Sequence, residues 1–262
     1  MRRILRVRIA RKAARGNDSP NLDPRLVKGF GHEWLRFNNE AVSEAELREM
    51  FDRYTEIFPW QDLPADAEGF DAGCGSGRWA RFFAPRVGLL HCVDASEAAL
   101  DVAREALSGH TNVEFRHEDL SSMGLADRTC DFGYCLGVLH HIPDTEHALG
   151  TCVAKLKPGA PFLVYLYYDL QGRGWLQRRM FDVATMVRAV VSRLPLRVRA
   201  VVTDVLAVVV YWPLALVARL VEKIGWDPSL VPLFQYRNRS FYVMRNDALD
   251  RFGTRLEKRY SK

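Results

Sequence analysis

Polar and apolar positions along this chain follow two different periods, and the change between them divides it into three parts. Residues 17–31, NDSPNLDPRLVKGFG, are rich in turn formers and read as a linker. From residue 43, SEAELREMFDRYTEIF opens with Ser43 followed three residues later by Glu46, and its apolar residues recur at helical spacing up to Pro59. Short apolar runs then alternate with amphipathic stretches. A strand is predicted near 69–72, a helix from GRWARFFA, a strand over 88–94, and a helix over 96–107 with Ser96 as its N-cap. Further strands are predicted over 112–119 and 130–137, a helix over 144–157 closed by Pro158 and Gly159, and a fifth strand over 161–168. Buried apolar strands alternating with helices predict an α/β architecture, a mostly parallel sheet with helices on both faces.

After Tyr168 the pattern changes again. Residues 175–225 are rich in Val, Leu and Arg and form long helical tracts that Pro195 and Pro213 are expected to break. The stretch 205–218, VLAVVVYWPLALVA, is fourteen residues without a charge, short of the roughly 20 that span a bilayer. One reading is a buried helix pair covering a site. The other is an interfacial surface, since Arg188, Arg193, Arg197, Arg199 and Arg219 flank the run together with Trp212. The chain thus divides into a basic arm, linker and lid helix (1–66), an α/β core (67–168) and a helical insertion or cap with an incomplete C-terminal part (169–262).

Charge sharpens this picture at one end only. The first fifteen residues hold seven Arg or Lys and no acid; removing those seven from the 37 basic residues leaves 30 against 32 acidic ones. The net +5 therefore belongs to an arm, which argues against a nucleic-acid partner for the body and leaves the arm solvated or in contact with anionic lipid or RNA. Cys74, Cys92, Cys130, Cys135 and Cys152 form no CxxC pair and no metal-ligand spacing. They read as reduced thiols of a cytoplasmic protein.

The candidate chemistry lies in DAGCGSGRWA, residues 71–80. Glycines between a strand and a helix let backbone N–H groups approach a polar ligand. A dinucleotide loop, G-x-G-x-x-G, would need its third glycine at position 78, where this chain has Arg78; Gly77 comes one place early. Two acids extend the pattern. Asp94 ends the second predicted strand, 21 residues after Gly73, near the offset at which an acid reaches ribose hydroxyls, and Asp119 ends the third.

Taken with VDAS, EDL at 118–120, CDFGYCLGVLHHIPD and KLKPGAPFLV, this set resembles the class I S-adenosylmethionine-dependent methyltransferases, in particular their small-molecule branch. The resemblance covers about residues 67–168 and implies a Rossmann-like fold. It implies that Gly73, Gly75 and Gly77 cradle the methionine part of S-adenosylmethionine and that Asp71 orients its amino end. Asp94 is then expected to hold the ribose hydroxyls and Asp119 the adenine amino group, with Leu120 near the ring and Leu136 near the sulfur. That cofactor has no pyrophosphate, which accounts for the missing third glycine and favours methyl transfer over hydride transfer.

The acceptor implied is a small molecule, methylated at O, N or C. If it must lose a proton, His140 and His141 after the fourth strand are the candidate bases, and Tyr165, Tyr167 and Tyr168 candidate acceptor-site residues. A pocket built from the insertion is expected to be apolar and aromatic, which suits an apolar or amphiphilic metabolite. GFGHEWLRF (29–37) is expected to lie over the cofactor as a lid, with His32 and Trp34 facing it. Two departures stand out: a thin first strand, DAEGFDAG, and a C-terminus without the antiparallel hairpin that usually completes the family's sheet, which is expected to leave the fifth strand's edge bare unless something covers it. The competing reading is a degenerate member of the fold acting as a membrane-associated interaction module through 1–15 and 175–225.

Overall fold

The computed structural model describes residues 21–167 and 175–260. Five strands form one sheet: β1 (Glu68–Ala72), β2 (Leu89–Asp94), β3 (Val113–His117), β4 (Phe132–Leu136) and β5 (Phe162–Tyr165). All neighbours are parallel, in the order β3-β2-β1-β4-β5. This is the Rossmann-like arrangement expected, and its switch point lies between β1 and β4, where the chain reverses its direction of travel across the sheet.

The thin first strand has a packing explanation. In the β1–β4 register Gly69 lies opposite Phe132 and Phe70 opposite Gly133. A Cβ on Gly69 would meet the Phe132 ring at 2.4 Å, and one on Gly133 would meet Phe70 at 2.4 Å. Each glycine makes room for its neighbour's ring, one ring on each face of the sheet. Four of the five β1 residues are buried. Bulk that β1 lacks is supplied from β4.

The helices α1 (Pro24–Arg36), α2 (Glu44–Thr55), α3 (Ala80–Phe83), α4 (Glu97–Ala106) and α5 (Thr145–Lys155) accompany the sheet. Ser43 caps α2 by accepting from Glu46 N at 3.2 Å, and Ser96 caps α4 by accepting from Ala99 N at 3.4 Å. Phe51 of α2 joins Phe58, Trp60, Phe82 and Phe83 in an aromatic cluster on one sheet face, where Phe83 stacks on Tyr134 at 3.9 Å. All five cysteines are buried and unpaired.

Several expectations change. The second half of the supposed linker is helix α1: Asp23 accepts from Arg25 N and Pro24 occupies the first turn, where its missing N–H costs nothing. The helix after the glycine loop is only the four-residue α3, followed by a 3₁₀ turn at Ala84–Arg86, so it contributes little dipole to the loop. Strand β3 ends at His117, which puts Asp119 in the following turn rather than on the strand.

Beyond β5 lie α6 (Trp175–Val191), α7 (Leu196–Leu206), a π-helical turn (Ala207–Tyr211), α8 (Trp212–Lys223) and α9 (Phe241–Gly253). Pro195 separates α6 from α7 as expected. Pro213 breaks nothing: the π turn before it absorbs the lost hydrogen bond, and Leu196–Lys223 runs as one 28-residue helix. Its buried positions are small or polar-tipped, Ala200, Thr203, Ala207, Tyr211, Ala215 and Ala218, at spacings of three and four. Ala207, Tyr211 and Ala215 pack with Met244, Ala248 and Phe252 of α9 in a separate small core.

The last described residues run beside the C-terminal end of β5. Tyr260 N donates to Tyr167 O at 3.0 Å, and Lys258 N donates to His140 O at 2.9 Å. Arg188 of α6 pairs with Glu257 at 2.5 Å. An irregular segment, rather than a hairpin, thus lies against this corner of the sheet.

Candidate functional site

A cavity of about 680 Å³ opens at the carboxyl ends of the strands, roofed by α1 and closed on one side by α9. Gly73, Asp94, Asp119, Leu120, Leu136 and His141 all line it, so the sheet gathers most of the sequence candidates into one space. Residues 175–225 do not. The wall opposite the glycine loop comes from Gln235 to Arg251 and carries Asp247, Asp250 and Arg251. The expected wall thus does come from the region after β5, but among the described residues from its later part, and there Asp247, Asp250 and Arg251 stand beside Tyr236 and Val243, so the wall is more polar than expected.

The glycine loop works differently from the expected N–H cradle. Gly73, Gly75 and Gly77 all have positive φ, 81°, 54° and 71°, which suits residues without a Cβ. Yet Gly73 N and Cys74 N both donate to Val93 O, Gly75 N donates to Asp94 Oδ2 at 2.9 Å, and Gly77 N donates to Cys74 O. These donors are already used inside the protein. Only Gly73 of the three reaches the cavity. A Cβ on Gly75 would meet the Trp34 ring at 2.7 Å, and one on Gly77 would meet Leu107 at 3.0 Å. Their smallness seats the lid and α4.

Asp94 ends β2 with its carboxylate fixed by two backbone donors, Gly75 N and Ser96 N at 2.8 Å, which leaves lone pairs on both oxygens for a diol. Asp119 Oδ1 accepts from Ser121 N at 3.0 Å. Asp71 sits beneath the loop, buried and off the cavity wall, with Oδ2 lacking any hydrogen-bond partner. Burial pushes its pKa up to about 8. An orphaned acid oxygen below the loop, a preset carboxylate at Asp94 and an apolar Leu120 on the wall suit a ligand with an ammonium group, a ribose diol and an aromatic base. The residues present fit S-adenosylmethionine.

The two histidines separate cleanly. His140 is fully buried, lies off the cavity and stacks on Tyr167 at 4.0 Å, and neither ring nitrogen has a partner. Burial, with His141 and Arg259 nearby, lowers its pKa to about 2, so the ring stays neutral. It cannot reach an acceptor, which corrects the expectation for this residue. His141 lines the cavity. Its Nδ1 lies 2.6 Å from Leu256 O; a carbonyl only accepts, which assigns the ring proton to Nδ1. Nε2 is then the bare nitrogen, 3.6 Å from Asp250 Oδ1. Tyr167 Oη donates to Asp250 Oδ2 at 2.7 Å. Tyr165 and Tyr167 line the cavity, whereas Tyr168 lies outside the described residues.

On the lid, Phe30 and Trp34 face the cavity, while His32 faces a second one on the other side of α1. Arg78, the residue that spoils the dinucleotide loop, lies across the Trp34 ring at 5.0 Å. It donates to Asn39 Oδ1 at 2.7 Å and Asn246 Oδ1 at 2.6 Å, and Asn246 in turn donates to Glu33 Oε1 at 2.7 Å. This chain of polar groups joins the loop, the lid and α9. Sequence reading missed Glu33, Asn246, Asp247 and Asp250; Arg78 in place of a glycine was the one visible signal.

Residues 70–164 match the family described as "Methyltransferase domain". Among similar curated proteins are ubiquinone biosynthesis O-methyltransferases. That of Coxiella burnetii (strain Dugway 5J108-111) is 29% identical over 107 residues, 37% of this chain and 46% of its own length. That of Hahella chejuensis is 32% identical over 145 residues, covering 53% of this chain and 60% of its own. The chain spans about half the length of the curated relatives it matches. Similar solved structures include a SAM-dependent methyltransferase from Aquifex aeolicus, with 19% identity, TM-score 0.39 and coverage of 50% of this chain and 77% of that one. Another, from Methanosarcina mazei, has 24% identity and TM-score 0.41 and covers 47% and 62%. With its glycine loop, Asp94 at the end of β2, Asp119 in the turn after β3 and its match over residues 70–164, this chain carries a region that matches the methyltransferase-domain family and is similar to class I S-adenosylmethionine-dependent methyltransferases.

Proposed function

We propose that the chain binds S-adenosylmethionine and methylates a small, amphiphilic acceptor, with an oxygen atom as the favoured nucleophile. The observation that supports this most is the sharing of one cavity by Asp94, Asp119 and a histidine with a bare Nε2. In this reading Asp94 holds the ribose hydroxyls and Asp119 the adenine amino group, while Asp71, off the cavity wall, orients the amino end through a bridging water. Leu120 lies against the base and Leu136 near the sulfur. Once bound, the cofactor supplies a methyl group on a sulfonium centre, an electrophile that needs positioning more than activation.

The chain's own residues then do three things. Phe30 and Trp34 on α1 cover the site and exclude water. The rings of Tyr54, Tyr165 and Tyr167 offer apolar surface to the acceptor, while Asp247 and Arg251 hold polar groups at its other end. His141 takes the acceptor proton at Nε2, and Asp250 steadies the imidazolium that results. Oxygen is favoured because a hydroxyl must lose its proton, which gives His141 a task, and because similar curated proteins are O-methyltransferases. Calorimetric titration with S-adenosylmethionine tests the core of the proposal. Asp94→Ala is expected to weaken binding at least tenfold, and undiminished binding in that variant would sink it.

A second reading concerns where the protein works. The helix Leu196–Lys223 turns its small residues inward and its large ones outward: Val201, Val205, Val209, Trp212, Leu216 and Leu220 are exposed. Only 22% of its most apolar window is buried. A solvated helix ordinarily shows the opposite pattern, so this face supports peripheral attachment to a membrane, with the basic arm 1–15 as a second contact.

A further inference from the structure

The second cavity, about 340 Å³, lies between α1, the turn joining α6 to α7, and the end of α9. Arg25, Lys28 and His32 enter it from α1, at the three- and four-residue spacing that puts side chains on one helix face. Arg193, Arg199 and Arg255 enter from the other two elements. Glu33 is the acid on its wall, and that carboxylate is engaged with the Asn246 amide.

Elsewhere the arginines of this protein are mostly answered by acids, as in Arg36–Asp204, Arg104–Glu97, Arg188–Glu257 and Arg251–Asp247. Among the described residues no acid within ion-pair distance accompanies any of the five Arg and Lys side chains at this cavity. Arg199 and Arg255 both donate to Ser192 O, at 2.9 Å and 3.1 Å, which brings two guanidinium groups onto one carbonyl. Arg199 Nε is buried without a partner. The stem of this side chain passes over Gly253, where a Cβ would stand 3.0 Å from its Cδ, and its Nη1 approaches Gly29. Gly253 therefore leaves this side chain its place at the cavity floor. Cations brought this close repel unless an anion joins them: burial first, and then proximity to Arg255, disfavour the charged form of Arg199.

We propose that this cavity is an anion site that takes a phosphate group. A tetrahedral dianion offers acceptor oxygens in several directions at once, as donors converging from three elements require, and arginine forks match such oxygens in pairs. The rim at Pro195 and Leu196 begins the helix whose exposed apolar face follows at Val198 and Val201. The same chemistry can thus be supplied by a free phosphate or by the headgroup of an anionic phospholipid. In either case the occupant touches α1, the helix that also roofs the main cavity. The site is independent of methyl transfer.

The test uses the full chain, inorganic phosphate in calorimetry, and flotation with vesicles of phosphatidylcholine with or without phosphatidic acid. Two variants are compared with the parent, Arg199→Gln and the double variant Arg25→Gln with Lys28→Gln. The double variant changes only exposed side chains, so it retains the parent's melting temperature and decides the matter alone if Arg199→Gln does not fold. Saturable phosphate binding that falls at least tenfold in the variants identifies a free phosphate. Weak phosphate binding with phosphatidic-acid-dependent flotation, reduced at least fivefold in the variants, identifies a lipid headgroup. Absence of both, or binding of either probe that the double variant leaves unchanged, overturns the site.

Discussion

At the scale of single residues, Asp71 has the clearest consequences. Its carboxyl is pushed up to about 8 by burial, against an ordinary value near 4. Between those two values the unfolded chain has released this proton and the folded chain keeps it, so stability falls as pH rises from about 4 to about 8. Asp71→Asn is therefore expected to melt at the parent's temperature near pH 3.5 and several degrees higher near pH 8.5, as scanning calorimetry can record. In the proposed complex a cationic cofactor favours the ionised acid. Binding at pH 7 is then expected to release about one proton in the parent and none in Asp71→Asn, measured by titration in buffers of different ionisation heat. The histidines give a paired prediction. His141→Gln should lower kcat by roughly 10²–10⁴ with S-adenosylhomocysteine affinity intact, the scale of a lost general base, and His140→Phe, an aromatic replacement off the cavity, should leave the rate within about threefold. A large loss in the second variant and none in the first would reverse the assignment.

Among the elements, the exchange of ring and glycine between β1 and β4 determines how the site's central strands meet. Gly69→Ala drives a methyl into the Phe132 ring and is expected to cost about 1–3 kcal/mol, the range for overpacked cores, in urea unfolding monitored by tryptophan fluorescence. The lid is the second element with a measurable role. Arg78 links it to α9 through Asn246 and lies on the Trp34 ring. Arg78→Met keeps the length of the side chain and removes its donors. It should raise the Kd for S-adenosylhomocysteine roughly tenfold, about the contribution of one charged hydrogen bond, without abolishing folding. Such elements show how far sequence carries. The capped helices at Ser43 and Ser96 and all five strands were legible because caps and apolar runs are local signals. The short α3, the helical half of the linker and the continuous helix across Pro213 were not, since each depends on what packs around it.

For the whole molecule, the exposed face of Leu196–Lys223 sets the prediction. Val209→Asp with Leu216→Asp alters two exposed side chains, so melting temperature should hold while sedimentation with anionic vesicles falls at least fivefold. Retained vesicle binding would remove this face as the contact. The sequence by itself determined the methyltransferase resemblance, the sheet and the placing of Asp94 and Asp119 at one rim, because the glycine loop and these acids sit at fixed offsets within one βαβ succession. It also marked Arg78 as anomalous without giving a reason. Only the tertiary structure decided which of two adjacent histidines reaches the cavity, since a single 3₁₀ turn sends His140 into the core and His141 to the wall. The polar wall of the main cavity and the basic cavity were likewise set by docking. Glu33, Arg199, Asp250 and Arg255 are far apart in the chain, and no periodicity records that α1, α7 and α9 will bring them to the same two clefts.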